Sequence, residues 1–94
     1  MFDDEFEWDD LKAGRNLRDH GVSFELAREI FQDAFALEWL DTCEEYREDR
    51  YAVIGMVQGQ LLFVVYTPRG ERKRLISARG AEPYERRRYH EEER

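Results

Sequence analysis

Arginines are the side chains of this sequence whose type and spacing best suit a chemical task. Arg69 follows an apolar run that ends at Tyr66, and Arg79 closes the next alternating segment. Further arginines lie nearby, at positions 72, 74, 86, 87 and 88. A guanidinium fork gives two hydrogen bonds to a phosphate, so these residues could hold an RNA backbone or stabilise charge on a phosphoryl group. The alternative is that they only solvate the surface and pair with the 22 acidic residues.

Other catalytic signatures are weak or absent in the sequence. It contains no Gly-rich phosphate loop, no Gly-x-Ser-x-Gly elbow and no His-Glu-x-x-His helix. His20 and Cys43 could pair as a base and a thiolate, but the acidic residues beside Cys43 disfavour a thiolate. The two histidines lie far apart and form no recognisable set of metal ligands. We therefore expect no metal and no cofactor.

The first predicted helix carries polar residues at helical spacing. Lys12, Arg15, Asn16 and Asp19 lie three or four residues apart, which puts them on one face. An asparagine inside a helix lowers the helix propensity, so Asn16 could serve a specific contact. The alternative is an ordinary solvated face.

Capping residues and apolar spacing predict three helices. The first begins after Asp9 or Asp10, whose carboxylates can accept free N–H groups, and it ends at Gly21. Ser23 caps the second, in which apolar residues recur on one stripe. The third begins at Pro83 and runs to about His90.

Alternating and apolar runs predict the strands. A short extended segment is expected at residues 6–8, and longer strands at residues 35–40, 51–57, 61–66 and 72–79. Turns are predicted at Gln58-Gly59 and at Thr67-Pro68-Arg69-Gly70, and a loop at residues 41–49. In the last strand, strict alternation puts Arg74, Ile76 and Ala78 on one side and Leu75, Ser77 and Arg79 on the other. Arg69 and Arg79 are then expected at opposite ends of a hairpin.

The order of these elements indicates an α+β fold, with two N-terminal helices and a C-terminal helix packed on an antiparallel sheet. The length of 94 residues predicts a single domain over residues 1–94. The acidic N-terminus does not resemble a signal peptide, no apolar run reaches the roughly 20 residues that span a bilayer, and Cys43 is the only cysteine. These features predict a cytoplasmic protein that does not bind a membrane.

Charge is distributed unevenly along the chain. The net charge is −7, which alone disfavours nucleic-acid binding. Residues 1–68, however, have a net charge of −10, whereas residues 69–90 have a net charge of +5. The second segment could therefore place a basic face on an acidic body, unless the two segments interleave and cancel.

Ordered motifs along nearly the whole chain add a family resemblance. The first motifs are Phe6-Glu7-Trp8-Asp9, Lys12, Asn16, His20-Gly21-Val22-Ser23-Phe24, Ala27 and Phe31-Gln32-Asp33. The later ones are Arg50-Tyr51-Ala52-Val53-Ile54-Gly55, Leu62 to Tyr66, Thr67-Pro68-Arg69-Gly70, Arg74-Leu75-Ile76-Ser77-Ala78-Arg79, Glu85-Arg86 and Tyr89. Together they resemble the BrnT family of bacterial toxins.

The resemblance implies a RelE-like fold and a ribonuclease that cleaves RNA without a metal or a cofactor. It also implies a type II toxin–antitoxin system, in which a BrnA-like ribbon-helix-helix antitoxin neutralises the toxin and binds the operator DNA. The toxin would then reach operator DNA only through that antitoxin.

The resemblance also suggests roles for the polar residues. Arg69 and Arg79 would stabilise the phosphate, and Lys12 would be a nearby cation. His20 would transfer protons, or else it would only bind the last carbonyls of the first helix. The expected RNA-binding residues are Arg72, Arg74 and Arg86.

Two positions depart from the family pattern, which usually has a lysine where this chain has Asp19 and another where it has Gly80. The alternative function is therefore a weakly active or non-catalytic homologue that binds its antitoxin and tunes repression of the operon.

Overall fold

A computed structural model describes residues 1–41 and 48–92. Its elements, in chain order, are β1 (Phe6–Glu7), α1 (Asp10–His20), α2 (Phe24–Ala27), a 3-10 helix (Arg28–Gln32), β2 (Leu37–Asp41), β3 (Arg50–Val57), β4 (Gln60–Arg69), β5 (Arg72–Gly80) and α3 (Pro83–Glu92). Most of the loop predicted at residues 41–49, with Cys43, lies outside the described residues. In the described part, no helix is both long and apolar enough to cross a membrane.

The strands form one sheet in the order β1-β5-β4-β3-β2. Strands β2 to β5 make an antiparallel meander, and the short β1 pairs with β5 in parallel. The predicted α+β class is confirmed. The predicted antiparallel sheet is confirmed for β2 to β5, and the short β1, which is joined to β5 through the helices and the meander, adds a parallel edge strand.

Local signals placed the first helix correctly. The Asp9 carboxylate accepts the N–H groups of Leu11 and Lys12, and Gly21 ends α1 with a positive φ of 71°. The Ser23 hydroxyl caps α2 by accepting the N–H of Leu26.

The second helix is shorter than the apolar stripe suggested, since α2 has four residues and continues as the 3-10 helix. That helix packs closely on β3, where a Cβ at Gly55 would lie 2.6 Å from Cγ1 of Ile30. Gly55 therefore makes room for Ile30 against the sheet.

The predicted hairpin at Gln58-Gly59 is confirmed, with positive φ at both residues, as a type I′ turn requires. The predicted turn from Thr67 to Gly70 is wrong. Strand β4 continues through Pro68 to Arg69, and the chain turns at Gly70-Glu71. The pairing of β3 with β4 ends at Tyr66, so Pro68 pairs only with β5. Proline tolerates such a position because one side of the strand needs no N–H donor.

The sheet is covered on both faces. On one face, α1, α2 and the 3-10 helix bury the larger core, which includes Trp8, Phe24, Ile30, Leu62, Val64, Leu75 and Ala78. On the other face, α3 contributes Tyr89 to a smaller core with Ile54, Leu61 and Ala81. Because α3 has only ten residues, it covers part of its face and leaves the rest open.

Strand β5 contains a bulge that the sequence pattern did not reveal. The register passes from Val65 opposite Ser77 to Tyr66 opposite Leu75, which leaves Ile76 as the extra residue. Leu75 and Ala78 are consequently buried in the same core, although they lie three residues apart. The expected strict alternation along β5 is therefore wrong.

Candidate active site

Arginines converge on the sheet face that α3 partly covers. Residues directly opposite each other in an antiparallel pair project to the same side. Arg79 lies opposite Phe63, which in turn lies opposite Ile54 in the core beneath α3. By the same register, this face also carries Arg50, Arg69, Arg72 and Arg74. We call this set, with Arg79, the arginine face.

The bulge at Ile76 is what brings Arg74 and Arg79 to the same face. They are five residues apart, so strict alternation would place them on opposite sides of the sheet. The extra residue changes the phase of the strand once between them. The arginine face therefore depends on a feature of the sheet and not on sequence spacing.

Arg79 forms the most extensive contacts on this face. Its Nη1 and Nη2 donate to the two carboxylate oxygens of Glu85 at 2.8 and 3.0 Å, and Nη1 also donates to the carbonyl of Gly80. The guanidinium lies 4.2 Å from the ring centroid of Phe63. A guanidinium has five N–H donors, so these three bonds leave Nε and one Nη2 hydrogen available to a ligand.

The Arg79–Glu85 pair holds the start of α3 on the sheet. The Glu85 side chain is 2% exposed and that of Arg79 is 29% exposed. Burial raises the pKa of Glu85, but hydrogen bonds from Arg79 and from the N–H of Glu82 outweigh it, so the pKa lies below its usual value. Arg86 adds a bond at the same place, from Nε to the carbonyl of Ala81 at 3.3 Å. Glu85 is thus an ionised partner, although sequence reasoning did not single it out.

Arg69 and Arg72 form a cross-strand pair beside the turn between β4 and β5. Arg69 is half-exposed and lies 3.3 Å from a carboxylate oxygen of Glu48. Arg72 donates to the carbonyl of Asp3 at 2.6 Å and lies over the ring of Phe2. A surface cavity of about 440 Å³ adjoins both arginines. Asp4 and Glu71 also line this cavity, so an anion that reaches the two arginines from the solvent also meets two carboxylates.

Arg74 and Lys12 both lie near the Asp9 carboxylate at the start of α1. Arg74 donates to the Glu7 carboxylate at 2.8 Å. The pKa of Asp9 is lowered by its hydrogen bonds from the backbone N–H groups of Lys12 and Leu11, and also by the charges of Lys12 and Arg74. Two of the predicted cations therefore lie close to the same carboxylate.

Helix α1 runs alongside β5 and is fixed there by Asn16. The buried Asn16 amide donates to the carbonyls of Val22 and Ala78, both at 2.8 Å, and accepts the N–H of Ala78 at 3.0 Å. The specific contact suspected for Asn16 thus exists, while Lys12, Arg15 and Asp19 are exposed. His20, also exposed, lies one turn beyond Asn16, towards the Arg79 end of β5.

The residues expected to act in catalysis lie in two groups. Along β5, Arg69 and Lys12 lie towards the end near the β4–β5 turn, whereas Arg79 and His20 lie towards the opposite end. Lys12 and His20 are on α1, which covers the sheet face opposite the arginine face. Along the strand these ends are roughly 20 Å apart, at about 3.3 Å per residue. One phosphate can therefore contact only one of the two groups.

Aromatic side chains lie beside the Arg79 group. The rings of Trp39 and Phe63 are 6.0 Å apart, and Arg88 of α3 lies 4.6 Å from the Trp39 ring. Arginine planes over aromatic rings can stack nucleic-acid bases. Arg50 and these aromatics were missed as site residues, although counting by two from Ile54 would have placed Arg50 on this face. Among the described residues, no group of three His, Cys, Asp or Glu side chains could hold a metal ion.

A family model for a ribonuclease toxin, BrnT, of type II toxin–antitoxin systems matches residues 8–85. The chain belongs to the BrnT family. No curated protein matches it closely enough to be reported as a relative. The family establishes a ribonuclease toxin of a type II toxin–antitoxin system, a class of toxin that works with an antitoxin partner.

The BrnT match contains every residue of the arginine face, together with Lys12 and His20. Arg86, Arg88 and Tyr89 lie beyond it, on α3. The two positions at which the resemblance predicted a lysine are both exposed. Asp19 pairs with Arg18 at 3.1 Å, and Gly80 ends β5 beside Arg79. At each position a lysine would lie on the surface without disturbing the core.

Proposed function

We propose that this BrnT-family chain is a metal-independent endoribonuclease that binds RNA across the arginine face. The observation that carries the proposal is the register of β5 with β4, which places Arg69, Arg72, Arg74 and Arg79 on one side of the sheet. Guanidinium groups bind phosphate oxygens through paired hydrogen bonds and remain charged at all physiological pH values. Phosphates several nucleotides apart on one strand would contact the two ends of the face.

The reaction we propose is attack by an RNA 2′-hydroxyl on the adjacent phosphorus. A base removes the hydroxyl proton, the new O2′–P bond forms, the P–O5′ bond breaks, and the departing oxygen takes up a proton. Arginines stabilise the negative charge that builds on the phosphoryl oxygens, so they supply the positive charge that the step requires. We propose that His20, a residue type that often serves as a general acid or base, transfers the proton when the reacting phosphate is held at the Arg79 end. At a phosphate held by Arg69, another group must act as the base.

We further propose that a BrnA-like ribbon-helix-helix antitoxin neutralises this toxin. The family supports an antitoxin partner in general, and the motif resemblance supports this kind. Operator DNA would be reached only through the antitoxin, since an acidic chain of net charge −7 repels DNA elsewhere on its surface.

Substitution of Arg69 by alanine tests the proposal. Removing one donor that stabilises transition-state charge typically lowers the rate by on the order of 10²–10³. Arg69 is half-exposed at a strand end, so Arg69→Ala should change the melting temperature little. Arg28→Ala is the matched control, because Arg28 is also a partly exposed, ion-paired arginine but contacts Phe6 in the core on the opposite face.

Initial rates on one single-stranded RNA, at one stated salt concentration, give the result. We expect Arg69→Ala to lose cleavage and Arg28→Ala to retain it. Equal cleavage by Arg69→Ala and wild type would remove Arg69 from the site.

A non-catalytic or weakly active antitoxin-binding module is the second candidate. The observation that favours it is the occupation of the Arg79 fork by Glu85, together with the missing lysines at Asp19 and Gly80. Asp19→Lys should leave cleavage equal or faster if the chain is an enzyme, because it removes a charge that repels RNA. Purified wild type that binds its antitoxin, yet neither cleaves RNA nor slows growth when induced alone, would establish the second candidate.

A further inference from the structure

A groove between α1 and α2 lies on the side of the molecule opposite the arginine face. It encloses about 240 Å³ and is lined by Trp8, Asp10, Ala13, Gly14, Leu17, Ser23, Phe24 and Glu25. Trp8 and Phe24 are buried and meet edge to face, so they form a rigid apolar floor. We propose that this groove receives an apolar side chain from a basic segment of the antitoxin. The inference rests on the proposed function for the identity of the partner.

Gly14 is the first observation that points to a partner. Glycine inside a helix is less favourable than alanine, but it allows another group to approach the helix backbone closely. Among the described residues nothing does so, since a Cβ built on Gly14 meets no atom within 4 Å. The lack of a side chain at this position widens the groove, and no contact within residues 1–41 and 48–92 explains it.

Exposed leucines on the same helix are the second observation. Leu17 lines the groove and is 51% exposed, and Leu11 is 73% exposed. Leu11, Gly14 and Leu17 are spaced by three residues, so they lie on adjoining faces of α1. An apolar surface beside an apolar groove is typical of a protein-binding site.

The size and charge of the groove favour a basic protein segment over other occupants. Its volume is below the roughly 300 Å³ at which small-molecule sites begin, but it can accommodate an anchoring side chain. Asp10 and Glu25 line the rim of the groove. Asp10 pairs with the N-terminal ammonium at 3.1 Å, so the exposed carboxylate of Glu25 is the group that attracts Lys or Arg beside the anchor and repels RNA. A second copy of this chain would bring the same acidic rims together. The antitoxin, as the partner that the family implies, is the occupant that remains.

Two variants test the groove without touching the arginine face. Gly14→Gln fills the groove with a good helix former, so the fold should be kept and the melting temperature should stay the same or rise. Leu17→Lys places a charge on the groove wall. Leu40→Lys is the matched control, because Leu40 is a similarly exposed leucine, at 43%, on β2.

Affinity for the antitoxin encoded beside the toxin gene is measured by calorimetry for wild type and all three variants. We expect Gly14→Gln and Leu17→Lys to raise the dissociation constant at least about 10-fold, and Leu40→Lys to change it less than about 2-fold. RNA cleavage by the free Gly14→Gln protein should equal that of wild type, since this change adds no charge and lies six residues before His20 on the side away from the arginine face.

The outcomes separate this inference from the proposed function. If wild type binds the antitoxin and both groove variants bind equally well, the groove is not the docking site, whereas the proposed function stands. If wild type fails to bind the antitoxin at all, both the proposed partner and its docking site are overturned. Equal weakening by Leu40→Lys would show a general effect of added charge and would also overturn the inference.

Discussion

Single guanidinium groups in this molecule have similar chemistry but different surroundings. Arg69 is held by one exposed ion pair and borders open solvent, whereas Arg79 is fastened to a buried carboxylate by two hydrogen bonds. An exposed pair contributes little to stability, but a buried one is costly to break, because the remaining charge is left without its partner. Arg79 therefore has a structural task as well as the proposed RNA contact.

A double substitution separates the two tasks of Arg79. Arg79→Met alone should lower the free energy of unfolding by on the order of 3 kcal/mol. This corresponds to a fall of more than about 10 °C in melting temperature. Adding Glu85→Met removes the unpaired carboxylate and should restore most of that stability. If Arg79 contacts RNA, the double variant will fold by circular dichroism and still bind RNA more weakly than wild type. If the double variant is stable and binds RNA with the same affinity as wild type, Arg79 has only a structural role.

Helix α3 is attached to the sheet mainly by polar contacts. Of its ten residues only Glu85 and Tyr89 are buried. Glu85 binds Arg79, and the Tyr89 hydroxyl donates to Asp33 at 2.7 Å. Burial raises the pKa of Asp33, but hydrogen bonds from the Met56 N–H, Tyr89 and the Phe35 N–H hold it below the usual value. The helix is therefore held by two carboxylates that must stay ionised.

Acid should loosen α3. A carboxyl group whose folded pKa is lowered adds stability above its unfolded pKa and loses it as the pH falls through the folded value. For Glu85 this loss begins below about pH 4.5, the ordinary value of the group. Wild type should therefore be more stable than Glu85→Gln near neutral pH, and the difference should shrink as the pH falls below about 4.5.

Melting temperatures between roughly pH 3 and 7 measure this difference. Glu82→Gln is the control, since Glu82 is exposed and lies 3.8 Å from Arg79. Its difference from wild type should be small at every pH. A constant gap between wild type and Glu85→Gln across the range would contradict the prediction.

Over the whole molecule, an acidic chain presents a locally basic surface. The net charge of −7 repels RNA, but the arginine face is confined to β3, β4 and β5 on one side. The proposed antitoxin groove lies on the other side and has an acidic rim. Because the two faces carry opposite charge, RNA and the antitoxin would bind different surfaces of this small protein.

Salt dependence of RNA binding tests the basic surface. For single strands, the logarithm of the binding constant falls linearly with the logarithm of the salt concentration, and each phosphate contact adds about 0.7 to the slope. Arg69→Ala and Arg72→Ala should each reduce the slope by about 0.7, whereas Arg28→Ala on the opposite face should leave it unchanged. Anisotropy with a fluorescent 2′-O-methyl RNA, which resists cleavage, measures the slope. Equal slopes for all variants would mean that RNA binds elsewhere.

Local signals in the sequence were sufficient for the parts of the fold that local chemistry controls. Asp9 and Ser23 cap their helices, Gly21 ends α1, and Gln58-Gly59 forms its hairpin, because each depends on hydrogen bonds or φ angles within a few residues. Motif order along the chain also identified the family, which the family model confirms. The arginines were recognisable as the candidate phosphate-binding groups by residue type alone.

Tertiary structure decided which of those groups share a surface. The bulge at Ile76 and the extension of β4 through Pro68 depend on pairing between distant strands, which a one-dimensional pattern does not encode. The bond between Asn16 and Ala78 joins residues 62 positions apart, and it fixes α1 beside β5. Sequence alone thus determined the family and the chemistry available to this protein, because both depend on residue type and order. Only the folded sheet determined that Arg74 and Arg79 lie on the same face, because that depends on the register of paired strands.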